Sequence, residues 1–374
     1  MKNIFRVILF LFFANNTYAQ FTLRLGVTSV ATKAQEDVYV AGSFNNWNPQ
    51  DPKYKLKPLG TTRRGIVLKD LPAGKYEFKF TRGMDKWETT AKGEDIPNHQ
   101  INLTDDVAQD FTVAGWKDDF PDKPKLNTAT AQVRIMDTAF IIPQLNRKRR
   151  IWIYLPKSYT YSKKSYPVLY MHDGQNLFNE QTAPFGEWGI DEALDSLSRK
   201  GLETIVVGID HGGDKRLTEY NPYDNDKFGK AEGKQYVDFI AFALKPYIDK
   251  KYRTLSDSTH TFIAGSSMGG LISLYAMMQY PSVFGGVGIF SPAFMVGPSI
   301  FDDIVRVKWN GMRRFYFYAG GKESFEMVPD SDRMLKIVES KGNYKTRRVM
   351  NPMGKHNEAA WRNEFPGFVE FLLH

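Results

Sequence analysis

The chain has no cysteine among its 374 residues, which excludes disulfides, thiol nucleophiles and thiolate-bound zinc together. After the first two dozen residues no stretch approaches the roughly eighteen consecutive apolar residues that a bilayer-crossing helix needs. The six histidines form no H-E-x-x-H pair, and neither a phosphate loop nor a dinucleotide fingerprint occurs. Charge of one sign is never gathered into a run. The formal surplus of +8 falls to +6 once Lys2 and Arg6 are set aside, and it is spread along the chain. Such a spread reads as a solvated surface, and no zinc-finger or helix-turn-helix pattern accompanies it to suggest nucleic acid. The expectation is a protein with no metal, no cofactor and no nucleic-acid partner.

What is present begins with a leader. Residues 1–19, MKNIFRVILFLFFANNTYA, have a basic start, an apolar centre from Val7 to Ala14 and a small residue before Gln20. That is the anatomy of a secretory signal peptide cut after Ala19, so the mature protein is expected to be secreted or periplasmic, with no membrane span. From Phe21 to about Trp116 short β-rich runs alternate with turn signals: VYVAG, then SFNNWNP; GIVLKDL, then Pro72-Ala73-Gly74; KYEFKF; HQINL; QDFTVAG. The pattern predicts an all-β sandwich over residues 20–115. Residues 116–130, WKDDFPDKPKLNTAT, read as a linker.

Over 131–374 the pattern changes. Strand-like runs (RRIWIYLP, YPVLYMHDG, TIVVGID, HTFIAGSS, GGVGIFSP, RRFYFYAGG) alternate with helix-like segments. This predicts an α/β domain with a mostly parallel sheet covered on both faces, its active site at the carboxyl ends of the strands.

The strongest local signal is Gly265-Ser266-Ser267-Met268-Gly269, between the strand TFIA and the helical LISLYAMMQY. This is G-x-S-x-G in strand-turn-helix context, with Ser267 as nucleophile and the Met268 N–H offered to an oxyanion. Ser266 has no glycine two positions to either side, whereas Ser267 has both. Two histidines follow Ser267: His374 is the terminal residue, and His356 in GKHNEAAW is the base. Glu323, directly after FYFYAGG, is the expected acid; Asp330 and Asp332 are the alternatives for that role, though they read better as caps of the helix DRMLKIVES. In MHDGQNLF, Gly174 allows a turn at which the amide of Gln175 or a neighbour supplies the second oxyanion donor. Asp173 there is given a structural or substrate-contact role.

These residues carry a resemblance. YPVLYMHDGQNLF, GEWGIDEAL, AGSSMGG, YAGGKES and GKHNEAAW make the stretch from about Val133 to His374 similar to the putative-esterase family of α/β-hydrolases. That family includes feruloyl and acetylxylan esterases and enterochelin-type siderophore esterases. The resemblance implies a Ser267, Glu323, His356 triad with oxyanion amides from Gln175 and Met268. The first domain, through VYVAGSFNNWNP, LPAGKYEFKF and TRGMDKWETT, resembles an immunoglobulin-like starch- or glycogen-binding module. Trp47 and Trp87 then take the places of the sugar-stacking rings, and Lys79 and Asn98 those of hydrogen-bonding partners. Trp87, in a polar setting, is expected to be exposed. For Trp47 both a core and a sugar-facing position stay open.

The leading reading is therefore hydrolysis of acetyl- or feruloyl-type esters on a polysaccharide or oligosaccharide. Trp188, Glu187, Glu219, Tyr220 and Tyr223 are expected to contact the substrate. Two alternatives stand beside it: a siderophore ester hydrolase using Lys215 and Arg216 against a polyanionic catecholate, and a glycan-binding protein with an inactive hydrolase domain.

Overall fold

Alternation with period two builds the first part of the protein. In this computed structural model, which describes residues 20–120, 124–342 and 344–374, the leader assigned to residues 1–19 lies outside the described residues. The chain divides into two compact units between Lys123 and Pro124. The strands of the first are β1 (Gln20–Ser29), β2 (Tyr39–Gly42), β3 (Lys57–Pro58), β4 (Arg63–Pro72), β5 (Gly74–Thr81), β6 (Glu88–Thr89), β7 (His99–Leu103), β8 (Val107–Val113) and β9 (Gly115–Trp116). They form sheets ordered β3-β4-β1-β8 and β2-β5-β7, with β6 and β9 as a short pair. Leu23, Leu25 and Val27 of β1 share one core with Val40, Phe78, Phe80 and Leu103 from the second sheet. The first residues of the stretch read as linker belong to this unit. Trp116 is buried and paired with Glu88, and Asp118 and Asp119 hold the buried Arg82 at 2.6 and 2.7 Å.

In the second unit the strands are β10 (Val133–Ile142), β11 (Arg147–Tyr154), β12 (Val168–His172), β13 (Ile205–Ile209), β14 (Thr261–Ser266), β15 (Gly286–Phe290), β16 (Arg314–Gly320) and β17 (Lys345–Asn351). The helices are α1 (Ile190–Leu197), α2 (Arg216–Glu219), α3 (Gly233–Phe239), α4 (Lys245–Lys251), α5 (Met268–Gln279), α6 (Ile300–Arg306), α7 (Met327–Ser340) and α8 (Glu358–Leu373). One sheet runs β10-β11-β13-β12-β14-β15-β16-β17. It is antiparallel at β10 and β11 and parallel from β13 onward.

Successive side chains of a strand face opposite layers, and here both layers are apolar. Val168 and Tyr170 of β12 join a core with α3 to α7, whereas Leu169 and Met171 join one with α1 and α8. That double coverage is why these strands read as continuous apolar runs. Among the described residues no helix is long and apolar enough to cross a membrane.

One expected boundary moves. Helix α7 begins at Met327, so Asp330 lies inside its first turn and Asp332 pairs with Arg348 at 2.5 Å; neither caps the helix. Pro329 is tolerated there because the first helical N–H groups have no intrahelical partner to lose.

Candidate active site

Ser267 occupies the single residue between β14 and α5, at φ 58° and ψ −121°. A non-glycine residue held at positive φ costs about 1–3 kcal/mol and persists only when its surroundings enforce it. They do so here. Ser267 N–H donates to Phe290 O of β15 at 2.9 Å, and its carbonyl accepts from Gly270, Leu271 and Ala293 at 3.0, 3.2 and 3.0 Å. Of the bracketing glycines, Gly265 is required for close approach: a Cβ on it would sit 2.9 Å from the Gly269 carbonyl carbon and 2.9 Å from His172 Cδ2. Ser266 and Met268 are buried, while Ser267 is only half-buried. Met268 opens α5, where a helix leaves its N–H groups directed beyond its end.

Glu323 follows β16, and its side chain is fully buried. Oε1 accepts from Gly320 N–H and from Ser291 Oγ, both at 2.7 Å, and Oε2 lies 2.6 Å from His356 Nδ1. An acceptor-only carboxylate at that distance fixes the proton on Nδ1, which leaves the lone pair of a neutral ring on Nε2. His356 sits on the loop between β17 and α8, with Asn357 as the helix cap. The Trp361 ring meets it edge-on at 5.1 Å, and Trp361 Nε1 donates to Ser291 Oγ at 2.9 Å.

At the end of β12 the chain turns through Asp173 at φ 57° into a tight turn over Gly174–Asn176. The positive φ thus falls on Asp173, and Gly174 is needed for proximity: a Cβ there would lie 2.8 Å from the Gly208 carbonyl carbon of β13. The Gln175 carbonyl accepts from Thr182 Oγ1 at 2.8 Å, and its side-chain Oε1 from His211 N–H at 3.3 Å. Beside it runs an open groove of about 430 Å³ lined by Lys125, Gln175, Thr182, Pro184 and His211 among others. Burial lowers the His211 pKa, and its Nδ1 accepts from Gly213 N–H at 2.9 Å, which puts the ring proton on Nε2.

A family model described as Putative esterase matches residues 142–372. The chain belongs to that family. It is a carboxylic ester hydrolase with an α/β-hydrolase-type fold.

Uncharacterized protein YbbA of Bacillus subtilis is 28% identical over 196 residues, covering 50% of this chain and 74% of that one. An endo-1,4-beta-xylanase/feruloyl esterase of Xylanibacter ruminicola is 26% identical over 216 residues, 56% of this chain but 27% of that larger protein. The enterobactin esterase of Shigella flexneri, solved in the presence of enterobactin, has a TM-score of 0.52 at 18% identity. The match covers 95% of this chain and 91% of that one and shows the shared fold.

Most of the esterase's expected substrate contacts lie inside the protein. Glu219 is fully buried, its carboxylate held by Arg147 and Arg149 at 2.7 Å each. Tyr220 is fully buried against His172 and Tyr236. Trp188 is buried and stacks on Trp361 at 5.5 Å, so it backs the ring that contacts His356. Glu187 is buried beside Arg362, whose guanidinium donates to its carbonyl at 2.6 Å. Tyr223 is half-buried and donates to Asp303 at 2.9 Å. Asp173 is bound by Arg216 in two parallel contacts of 2.7 and 2.9 Å. Burial alone raises an aspartate, but the Arg216 charge outweighs it and holds Asp173 below its usual range. Arg216 is therefore paired with Asp173, while Lys215 beside it is exposed. His172 is no catalytic base: burial depresses it to about 4, and its Nδ1 pairs with Tyr236 at 2.9 Å.

In the first unit Trp47 and Trp87 are both half-buried. Lys79 alternates on β5 with the buried Phe78 and Phe80, and the exposed Asn98 donates to Glu77 at 3.3 Å.

Four residues escape sequence reasoning: Ser291, Trp361, Asn176 and Glu358. Ser291 and Trp361 hold Glu323 and His356 as described. Asn176 Nδ2 donates to Glu358 Oε1 at 3.2 Å, and burial raises the Glu358 pKa to about 7. Ser291 ends β15 just as Ser267 ends β14, and that shared strand-end position is the only local signal.

Proposed function

We propose that this esterase hydrolyses acetyl- or feruloyl-type esters on polysaccharides or oligosaccharides through a triad of Ser267, His356 and Glu323. The observation that carries the reading is the 2.6 Å contact between His356 Nδ1 and the buried Glu323, at the same end of the sheet as the strained turn of Ser267. Ser267 Oγ attacks the ester carbonyl while His356 Nε2 takes its proton. The amides of Gln175 and Met268 hold the oxyanion, a donor pair of which each member is worth on the order of 10²–10³ in rate. His356 then protonates the leaving alkoxide, and water repeats the cycle on the acyl-enzyme. With its Nδ1 engaged by Gly213, His211 leaves Nε2 to donate to an oxygen-rich substrate in the adjoining groove.

The first unit, residues 20–115, is read as an immunoglobulin-like sugar-binding module, with Trp47 and Trp87 stacking on pyranose faces and Lys79 and Asn98 binding hydroxyls. Supporting this, Trp87 bridges Thr81 at the end of β5 and Trp47 N–H bonds Gly42 at the end of β2. The Thr81–Trp87 pairing sets Trp87 beside the face of β5 that carries Lys79. The same reading has residues 1–19 removed on export, with the hydrolase over 131–374.

A second reading, siderophore ester hydrolysis, is favoured by the likeness to the Shigella enterobactin esterase over 95% of this chain. The engagement of Arg216 by Asp173 weighs against it. Parallel assays on acetylated, feruloylated and glucuronoyl xylo-oligosaccharides and on a catecholate trilactone decide between them. Turnover confined to the trilactone overturns the glycan reading.

A further inference from the structure

A glutamate in the first turn of a helix is ordinarily an exposed anion, favoured by the helix dipole. Glu358 opens α8, yet only 7% of it is exposed. Its Oε1 accepts from the side-chain amide of Asn176, 182 residues earlier in the chain, at 3.2 Å. Asn176 is the last residue of the turn that carries Gln175. Its N–H donates to Asp173 O and its carbonyl accepts from Trp188 N–H, both at 2.8 Å. Its Oδ1 is buried and lacks a hydrogen-bond partner among the described residues, which is costly unless a proton donor reaches it.

A primary amide and a carboxylic acid that face each other form two hydrogen bonds. The amide N–H donates to the acid carbonyl, and the acid O–H donates to the amide oxygen. A carboxylate keeps the first bond only and sets its second oxygen against that of the amide.

We propose that Glu358 is a positioning residue that, as the neutral acid, locks the turn bearing Gln175 to the loop bearing His356 through a two-bond pair with Asn176, and loosens that turn on ionising. The inference rests on the reading that Ser267 is the nucleophile and the Gln175 amide serves its oxyanion.

The charged groups around Glu358 are Asp173 from the end of β12, Arg216 from α2, His356 two residues before it, and the Glu187–Arg362 pair, in which Arg362 lies one turn further along α8. Burial foremost, with the Asp173 charge, raises the carboxyl to about 7, against its own backbone amide, His356 and Asn176. The acid form is thus populated at neutral pH. Arg362 ties α8 to the same loop a second time through the Glu187 carbonyl, so breaking the Asn176 link leaves the helix anchored.

The test is the pH profile of kcat and KM on an aryl acetate from pH 6 to 9.5 for wild type, E358Q, E358A and N176A. Ser267 labelling by a fluorophosphonate and Tm are read alongside. Glutamine presents a permanent donor and acceptor, so E358Q restores the kcat lost in E358A and exceeds wild type at pH 9 by about fivefold, one hydrogen bond's worth, with KM unmoved. E358A and N176A lower kcat about tenfold at pH 6.5, again with KM unmoved. Superimposable profiles for E358Q and wild type overturn the proposal, as does an E358A variant that changes Tm alone. If Ser267 is labelled in every variant while the profiles coincide, this inference fails by itself. If wild-type Ser267 is not labelled, the reading beneath it fails too.

Discussion

The Ser291 hydroxyl donates to Glu323 Oε1 across 2.7 Å while accepting from Trp361 Nε1 at 2.9 Å. The acid of the proposed triad is therefore held on one oxygen by Ser291 and the Gly320 amide, and presents the other to His356. Ser291→Ala removes one of two bonds to Oε1 and leaves the indole N–H without its acceptor. The expected result is a fall in kcat of about tenfold, with KM within twofold, measured on an aryl ester. An unchanged kcat would show that Gly320 alone suffices.

Glu323→Gln replaces an acceptor-only carboxylate with an amide whose NH₂ can face His356 Nδ1, which favours the wrong tautomer. Loss of kcat on the order of 10³–10⁴ is expected, with the fold intact by circular dichroism. If Glu323→Gln kept more than a tenth of wild-type kcat, another group would have to hold the base.

Stability should depend on pH through Asp191. This fully buried carboxyl accepts from Thr130 N–H at 2.7 Å, and burial foremost raises it from 3.8 to about 7. The folded chain holds this proton more tightly than the unfolded chain. Its contribution is therefore complete below about pH 4 and lost as pH rises through 7. Glu358 acts in the same direction. Asp191→Asn keeps the acceptor for Thr130 without the charge, so it should raise Tm at pH 8 and leave it nearly unchanged at pH 4. Equal Tm shifts at both pH values would contradict the assignment.

Trp47→Ala and Trp87→Ala are expected to weaken retention of the full chain on insoluble starch or xylan about tenfold each. The rate on a small soluble aryl ester should stay the same. Unaltered retention in the double variant would make the first unit a spacer.

The central elements of the α/β unit were legible because both faces of its sheet are covered there, which makes β12 to β16 bounded apolar runs. The positions of Ser267 and Glu323 were legible because each follows such a run at a glycine-marked turn, and that of His356 because it is the one non-terminal histidine after Ser267. Burial of Glu219 was not, since it depends on Arg147 and Arg149, some seventy residues away, and burial of Tyr220 depends on His172 and Tyr236 from two other elements. The Asn176–Glu358 contact likewise joins segments 182 positions apart without any local motif. Helix α7 starts earlier than expected because Pro329 falls where a proline does no harm. Such losses share one cause: spacing along the chain reports which face a residue lies on, not what covers that face.

The most direct test of the account is fluorophosphonate labelling followed by peptide mapping, with hydrolysis of a short aryl ester measured on the same samples. The account predicts a single adduct on Ser267, formed in step with loss of activity, and neither adduct nor turnover in Ser267→Ala. An adduct on a different serine, or full activity in Ser267→Ala, would contradict it.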